Sequence, residues 1–529
     1  MPLAMPNHRL TPSDWYRTME TISDNTFIDL VATRAGSLFP LCRYLSQDAS
    51  STTILTRPLL GDLLSQSTQL EELLDAYGAQ NNQQWYRFRA ITAAIKLFAN
   101  VSYLLLHIKH VLPSYNLLNI DHDFVSATNR TLAFTSDVLS AAASALWDQG
   151  SRLGLPLSPD ELRHSDYSEE LPPGQLPHDR ATRQTESASS TVTQMATAFL
   201  NLAAQSDALH TAARTSPEEY AACFPDPISE ERLRYLQDRF HSLQALYDTH
   251  VSDTEVESVD LELRVLRGHI SVIFHLIQAA TELAHYYERH VNIKTLGAGW
   301  DGPAVVKPEV LLTALMEYSI FYAGEYLVCG RQLCRDLLKR YAELGRIELP
   351  IPPCRGFHVR PSTLVAKIVL HYGSEVRMEL GGDIYDASSP LELFRANEKI
   401  NAQKRRRLAA QISPLLSRQT DLDELDITTA VLGTVFKLAE RQQLIIYEQP
   451  LKLSDNIEEK TGGLLELVSR EIAQLQATDQ IDINIHLTIT FFGDKRVLED
   501  IELLAKAGYG EDRFGNNIAL PKGLAYLRR

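Results

Sequence analysis

Apolar residues recur along most of this chain at helical spacing. From Leu233 they fall at Leu233, Leu236, Phe240, Leu243 and Leu246. From Val259 they fall at Val259, Leu263, Leu266, Ile270, Ile273, Ile277, Ala280 and Ala284. Alternating steps of three and four place each set on one face of a helix. The second stripe suits either the inside of a bundle or contact with a second copy of the chain, and on it rests the expectation of a homodimer. Further helices are predicted over 11–47, 68–77, 83–111, 121–149 and 308–341. The apolar stretch 97–118 contains His107, Lys109, His110 and Pro113, so it reads as a buried helix and not as a membrane span.

The pattern changes twice. Around 158–190 the run Leu171-Pro172-Pro173-Gly174-Gln175-Leu176-Pro177 and a polar stretch after it read as a linker or long loop. This divides the helical part into a domain over 1–157 and a bundle over 191–345. From 346 the period shortens. Residues 346–352 read as a strand, Ser374 to Leu380 alternate as a strand does, Gly381-Gly382 is a hairpin turn signal, and 383–387 return. A last strand over 483–492 precedes a helical run over 496–506. The fold class is therefore α+β, with a large all-α N-terminal region and a final domain over 346–529. Residues 395–480 form an insertion in that domain, largely helical and far longer than ordinary connections. Its basic cluster Lys404-Arg405-Arg406-Arg407 and its acidic run 421–426 read as solvated faces, and Leu444 to Tyr447 as an extra strand.

Composition narrows the partners. The chain has 529 residues, 44% of them hydrophobic and 22% charged, as in ordinary globular proteins. A net charge of −16 argues against a protein that coats nucleic acid. Cys42, Cys223, Cys329, Cys334 and Cys354 are irregularly spaced and match neither a disulfide framework nor a zinc pattern. A reducing cytoplasm is the setting they suit. Residues 1–14 have no apolar core flanked by positive charge and do not read as a signal peptide.

The sharpest chemistry lies in Cys354-Arg355-Gly356-Phe357-His358-Val359-Arg360-Pro361-Ser362-Thr363, followed by an amphipathic run over 364–370. Proline is favoured in the first turn of a helix, and serine or threonine there satisfies free amides. His358 is thus expected at a helix N-terminus, where unpaired N–H groups favour an anion. The segment Gly356-Phe357-His358-Val359-Arg360-Pro361-Ser362 resembles the active-site loop of HPr, the phosphocarrier of the sugar phosphotransferase system, whose pattern is Gly-x-His-x-Arg-Pro-small. The predicted order β-α-β-β-α-β-α is similar to that family over 346–394 and 481–508, and nothing upstream takes part in the likeness. Two departures are the insertion and the attachment to a long chain, since HPr is normally a small free protein.

The resemblance implies an open-faced β-sandwich, a four-stranded antiparallel sheet with helices on one face. It implies His358 and Arg360 as catalytic residues, with Val359, Arg360, Ser362 and Thr363 holding the phosphoryl oxygens. Ser389 stands where some HPr proteins carry a regulatory phosphoserine, although Pro390 replaces the usual apolar residue and a helix N-cap is the simpler role. The implied function is a regulatory phosphocarrier-like protein of the phosphotransferase system. His358 is phosphorylated by an Enzyme I-like donor, and the helical region relays that state to an unidentified target protein. The alternative is a non-catalytic docking or scaffold protein with the same fold. A third reading is a helical metal-binding enzyme, because Glu282-x-x-His285 has the spacing used in di-iron bundles. That motif occurs in a single persuasive copy, and with His285, Tyr286 and His290 read as helix-surface residues no metal or other cofactor is assigned. An insertion of this length is also expected to cover part of the surface an HPr protein shows its partners.

Overall fold

Side-chain caps mark where the helices begin. Ser23, Thr56, Asp123 and Ser229 each accept a hydrogen bond from a first-turn amide, and the helices Asp24–Ala35, Arg57–Ala76, Phe124–Arg152 and Glu230–His250 follow them. The computed structural model describes residues 21–47, 55–157, 162, 167–169, 176–177, 182, 188–291, 305–416, 426–454, 463–512 and 514–528. The chain divides into two compact units, one of Met1–Gln184 and Leu202–Gly330, the other of Thr185–Asn201 and Arg331–Arg529. It is mostly helical, with one small four-stranded antiparallel sheet, an α+β architecture.

The first unit is helical and holds the stretch expected as a domain over 1–157 together with residues 202–330 of the expected bundle over 191–345, whose two ends belong to the second unit. Of the segment 158–190, Tyr167 accepts a hydrogen bond from Thr56 through its carbonyl, and Glu169 pairs with Arg57 at 2.8 Å. This part of the expected linker is anchored to the start of a helix. The helix Tyr86–Val111 has the length and apolarity of a membrane span, but Ile91, Ile95, Phe98, Leu105 and Ile108 are buried in the unit's core, as the sequence reading expected. Helix Glu262–Tyr286 packs against Glu230–His250 and Tyr86–Val111. Its residues Leu263, Leu266, Ile270, Ile273, Ile277, Ala280 and Ala284 are buried within the chain, and Val259 alone of the stripe is exposed, at 86%. The face on which the homodimer was expected is therefore bundle core, and that expectation loses its support. The long predicted helix over 308–341 is divided into Pro308–Thr313, a π-helical turn Ala314–Ile320 and Phe321–Tyr341. The change of unit falls within the last of these and not at 345.

Among its described residues the second unit contains six strands: β1 (Leu344–Pro350), β2 (Val376–Leu380), β3 (Asp383–Asp386), β4 (Leu444–Ile446), β5 (Ile481–Ile483) and β6 (Thr488–Asp494). Four form an antiparallel sheet in the order β1-β6-β2-β3. Gly381 and Gly382 join β2 to β3 with φ of 55° and 86°, which the tight turn requires. Alternation sends Val376, Met378, Leu380, Ile489 and Phe491 to one face. There they share a core with Val365 and Ile368 of helix Val359–Tyr372, Leu393 and Ala396 of helix Pro390–Leu416, and Val497 and Ile501 of helix Lys495–Lys506. The alternating positions carry Arg346, Arg377, Glu379 and Thr490 beside Phe492 and Ile384, and Arg346 of β1 pairs with Glu379 of β2 at 3.3 Å in the open.

The insertion has its own core. Helix Pro390–Leu416 runs from beside the sheet into it, and helices Ile427–Glu440 and Leu464–Ala477 pack with β4 and β5, which form a separate two-stranded sheet. The strand expected over 483–492 is thus two strands: Ile481–Ile483 pairs with β4, and Thr488–Asp494 enters the main sheet. Lys404 departs from its expected solvated role. It is buried, and its Nζ lies 2.8 Å from Asp482, while Arg405, Arg406 and Arg407 remain exposed. The acidic run 421–426 lies, except for Asp426, outside the described residues; Asp426 caps helix Ile427–Glu440.

Candidate functional site

The turn after β1 is built to present one imidazole. Arg355 and Gly356 have φ of 53° and 65°, two successive left-handed residues that reverse the chain. A Cβ at position 356 would lie 2.2 Å from Asn397 Oδ1. Asn397 bridges the turn: its Oδ1 accepts from the Phe357 N–H at 2.9 Å and its Nδ2 donates to the Arg355 carbonyl at 3.0 Å. Phe357 is buried against Tyr509, which leaves His358 as the N-cap of helix Val359–Tyr372 with an extended backbone. The insertion and β5 after it also hold this turn. The Arg355 N–H donates to Asp482 at 2.9 Å, its guanidinium donates to the Asp479 carbonyl, and it lies 5.0 Å over the Tyr447 ring.

His358 Nε2 lies 2.8 Å from Glu511 Oε2; the histidine side chain is 26% exposed and the glutamate 5%. An ionised carboxylate only accepts hydrogen bonds, so in a neutral ring the proton sits on Nε2 and the lone pair on Nδ1. Among the described residues Nδ1 makes no hydrogen bond. Glu511 is positioned by the tail that follows the last helix. Gly508–Gly510 form a turn, Glu511 pairs with Asn517 in a single β-bridge, and the Tyr509 hydroxyl donates to the Pro350 carbonyl at 2.8 Å.

The other expected residues fall into two groups. Val359 and Arg360 occupy the first two helical positions, where amides have no partner inside the helix, and Pro361 has no N–H. Val359 is exposed, and Arg360 Nε donates to the Gly510 carbonyl at 3.1 Å. Ser362 is committed elsewhere: its N–H donates to the His358 carbonyl at 3.2 Å and its hydroxyl to the Phe357 carbonyl at 2.8 Å. The Thr363 hydroxyl donates to the Val359 carbonyl at 2.6 Å. As anion ligands, then, the geometry favours Val359 and Arg360 over Ser362 and Thr363. Ser389 caps helix Pro390–Leu416 by accepting from the Glu392 N–H, 31 positions from the histidine in sequence.

Sequence reasoning missed Glu511, Asn397, Asp482 and the part played by Cys354. Glu511 stands next to Asp512 in an ordinary polar stretch after the helix Lys495–Lys506, and Asn397 sits inside an ordinary helical run, so neither carries a local signal. Cys354 stood within the quoted motif. Its thiol is buried, and burial pushes its pKa up. Cys354, His358 and Glu511 form the one grouping among the described residues in which three metal-capable ligand atoms lie within 4.8 Å of one another. The pair Glu282 and His285 does not gather such a set. His285 Nδ1 faces Glu230 at 3.0 Å, and burial holds the Glu282 carboxyl above its usual range. Of the three residues read as helix-surface, Tyr286 is buried and His285 and His290 are half-buried, and burial pushes the His290 pKa down to about 3. Comparison of this chain with protein-family models, with curated proteins and with solved structures finds no match.

Proposed function

We propose that this protein is a phosphocarrier-like regulator in which His358 accepts a phosphoryl group from an Enzyme I-like donor. The observation that carries the reading is the orientation of the ring. Glu511 engages Nε2, which leaves the Nδ1 lone pair free on the residue that caps the helix opening with the Val359 and Arg360 amides. In the transfer, Nδ1 attacks phosphorus, the bond to the donor atom breaks, and its electron pair stays with the donor. The new N–P bond is acid-labile. Charge on the phosphoryl oxygens is met by the Val359 and Arg360 amides and by the Arg360 guanidinium, whose terminal nitrogens make no hydrogen bond among the described residues. The sheet order and the helices over one face agree with an HPr-like open-faced sandwich. Five free thiols fit a reducing cytoplasm. The helical unit would pass the modified state to a target protein.

The test is incubation of the full chain with phosphoenolpyruvate and Enzyme I, with detection of acid-labile phosphate. The expected result is label in the wild type and none in His358→Ala, with unchanged far-ultraviolet circular dichroism. Absence of label, or label retained in His358→Ala, overturns the reading.

A further inference from the structure

We infer that Cys354, His358 and Glu511 form a binding site for one Zn²⁺ ion. The three side chains come from the turn after β1, the N-cap of the following helix and the C-terminal tail, and their ligand atoms lie within 4.8 Å of one another. Bonds of about 2.0–2.3 Å to a tetrahedral ion set ligand atoms roughly 3.3–3.6 Å apart. The 2.8 Å contact between His358 and Glu511 has to open by a few tenths of an ångström, and any wider gap to the thiol has to close by about an ångström.

The donor set selects the ion. A sulfur, an imidazole nitrogen and a carboxylate oxygen are ligands zinc takes together, whereas magnesium and calcium prefer oxygen alone. Coordination through Nε2 moves the ring proton to Nδ1 by exchange with solvent and releases the Cys354 thiol proton, and the resulting thiolate and the Glu511 carboxylate together balance the ion's two positive charges. The frame is fixed before metal arrives. Glu511 is 5% exposed and Cys354 2%. His358 is the most exposed of the three, so the fourth coordination position opens towards solvent on its side. A ring committed to zinc cannot accept a phosphoryl group; that consequence rests on the proposed function, while the metal site does not.

The experiment uses the full chain freed of metal by a chelator and dialysed against Zn²⁺, with Co²⁺ as a spectroscopic probe. No phosphoryl donor is present, so the outcome is independent of whether His358 is ever phosphorylated. The expected result is one Zn²⁺ per chain and a thiolate-to-cobalt charge-transfer absorption. Cys354→Ser abolishes that absorption, and Cys354→Ser and Glu511→Gln each weaken zinc binding about tenfold or more. Cys329→Ser, a change at a partly exposed thiol elsewhere, leaves both signals in place. Absence of stoichiometric zinc, or a charge-transfer band that survives Cys354→Ser, overturns the site. The cobalt spectrum of the wild type keeps the proposal falsifiable if a variant fails to fold.

Discussion

Two residues before His358 set its direction. Gly356 sits at φ of 65° with Asn397 against its α-carbon, so Gly356→Ala adds both backbone strain and a clash with Asn397 Oδ1. A loss of about 1–3 kcal/mol is expected, read as a lower denaturant midpoint, together with slower labelling of His358. An unchanged midpoint would show that the turn is not fixed as described. Lys404 is the second test at this scale. Its ammonium is buried 2.8 Å from Asp482, which also accepts from the Arg355 N–H. Removing one member of a buried pair strands the other, so Lys404→Met is expected to destabilise the second unit by about 3–5 kcal/mol. Adding Asp482→Asn should recover part of that loss, because the stranded charge goes while an oxygen remains for Arg355. Chemical denaturation of the single and double variants measures the difference.

The elements are joined by polar contacts that titrate. Asp494 ends β6 and caps helix Lys495–Lys506. Burial works to raise its carboxyl, but hydrogen bonds from Arg496 at 2.6 Å and Ser374 at 2.7 Å outweigh it and hold the group below its usual range. A depressed folded-state value means that its contribution is present above the unfolded value, about 3.9, and is lost as pH falls through the folded one. Stability of the wild type should therefore decline on acidification below about pH 4, and Asp494→Asn should show a shallower decline from a lower starting point. Thermal melts across that range decide it; parallel curves would remove Asp494 from the acid response.

At the scale of the whole molecule, the insertion has a contact that the sequence did not show, and the helical unit carries an expectation that the tertiary structure revises. The insertion was expected to cover a partner surface. It holds the turn before His358 through Asp479 and Tyr447, beside Asp482 of β5. Excising 417–480 with a short linker removes Asp479 and Tyr447 from Arg355, so labelling of His358 is expected to fall; faster labelling by a generic Enzyme I would mean that occlusion dominates. In the helical unit, Ile270 is fully buried and Val259, on the same stripe, is 86% exposed. Ile270→Asp places an unpaired charge in the core and should lower the thermal midpoint sharply, by several kcal/mol of stability. Val259→Asp should leave it nearly unchanged. Equal effects would mean that the stripe is not bundle core.

The sequence by itself determined the local elements. Period-two alternation over Ser374 to Leu380, the Gly381-Gly382 turn and the Pro361 start of a helix all act over a few residues, and each stands where the pattern put it. His358 at a helix N-terminus was legible for the same reason: capping and proline placement are local physics. Only the tertiary structure decided which residues meet. Glu511 reaches His358 from 153 positions away, Asp482 reaches Arg355 from 127, and the stripe from Leu263 to Ala284 found its partners within its own chain. Such contacts leave no periodic trace, because a single carboxylate or amide acts at one point and the chain between can take many paths to bring it there. Lys404 shows the limit most plainly. In sequence it is one of four consecutive cations, and the fold alone sets it against Asp482 while its neighbours stay in water.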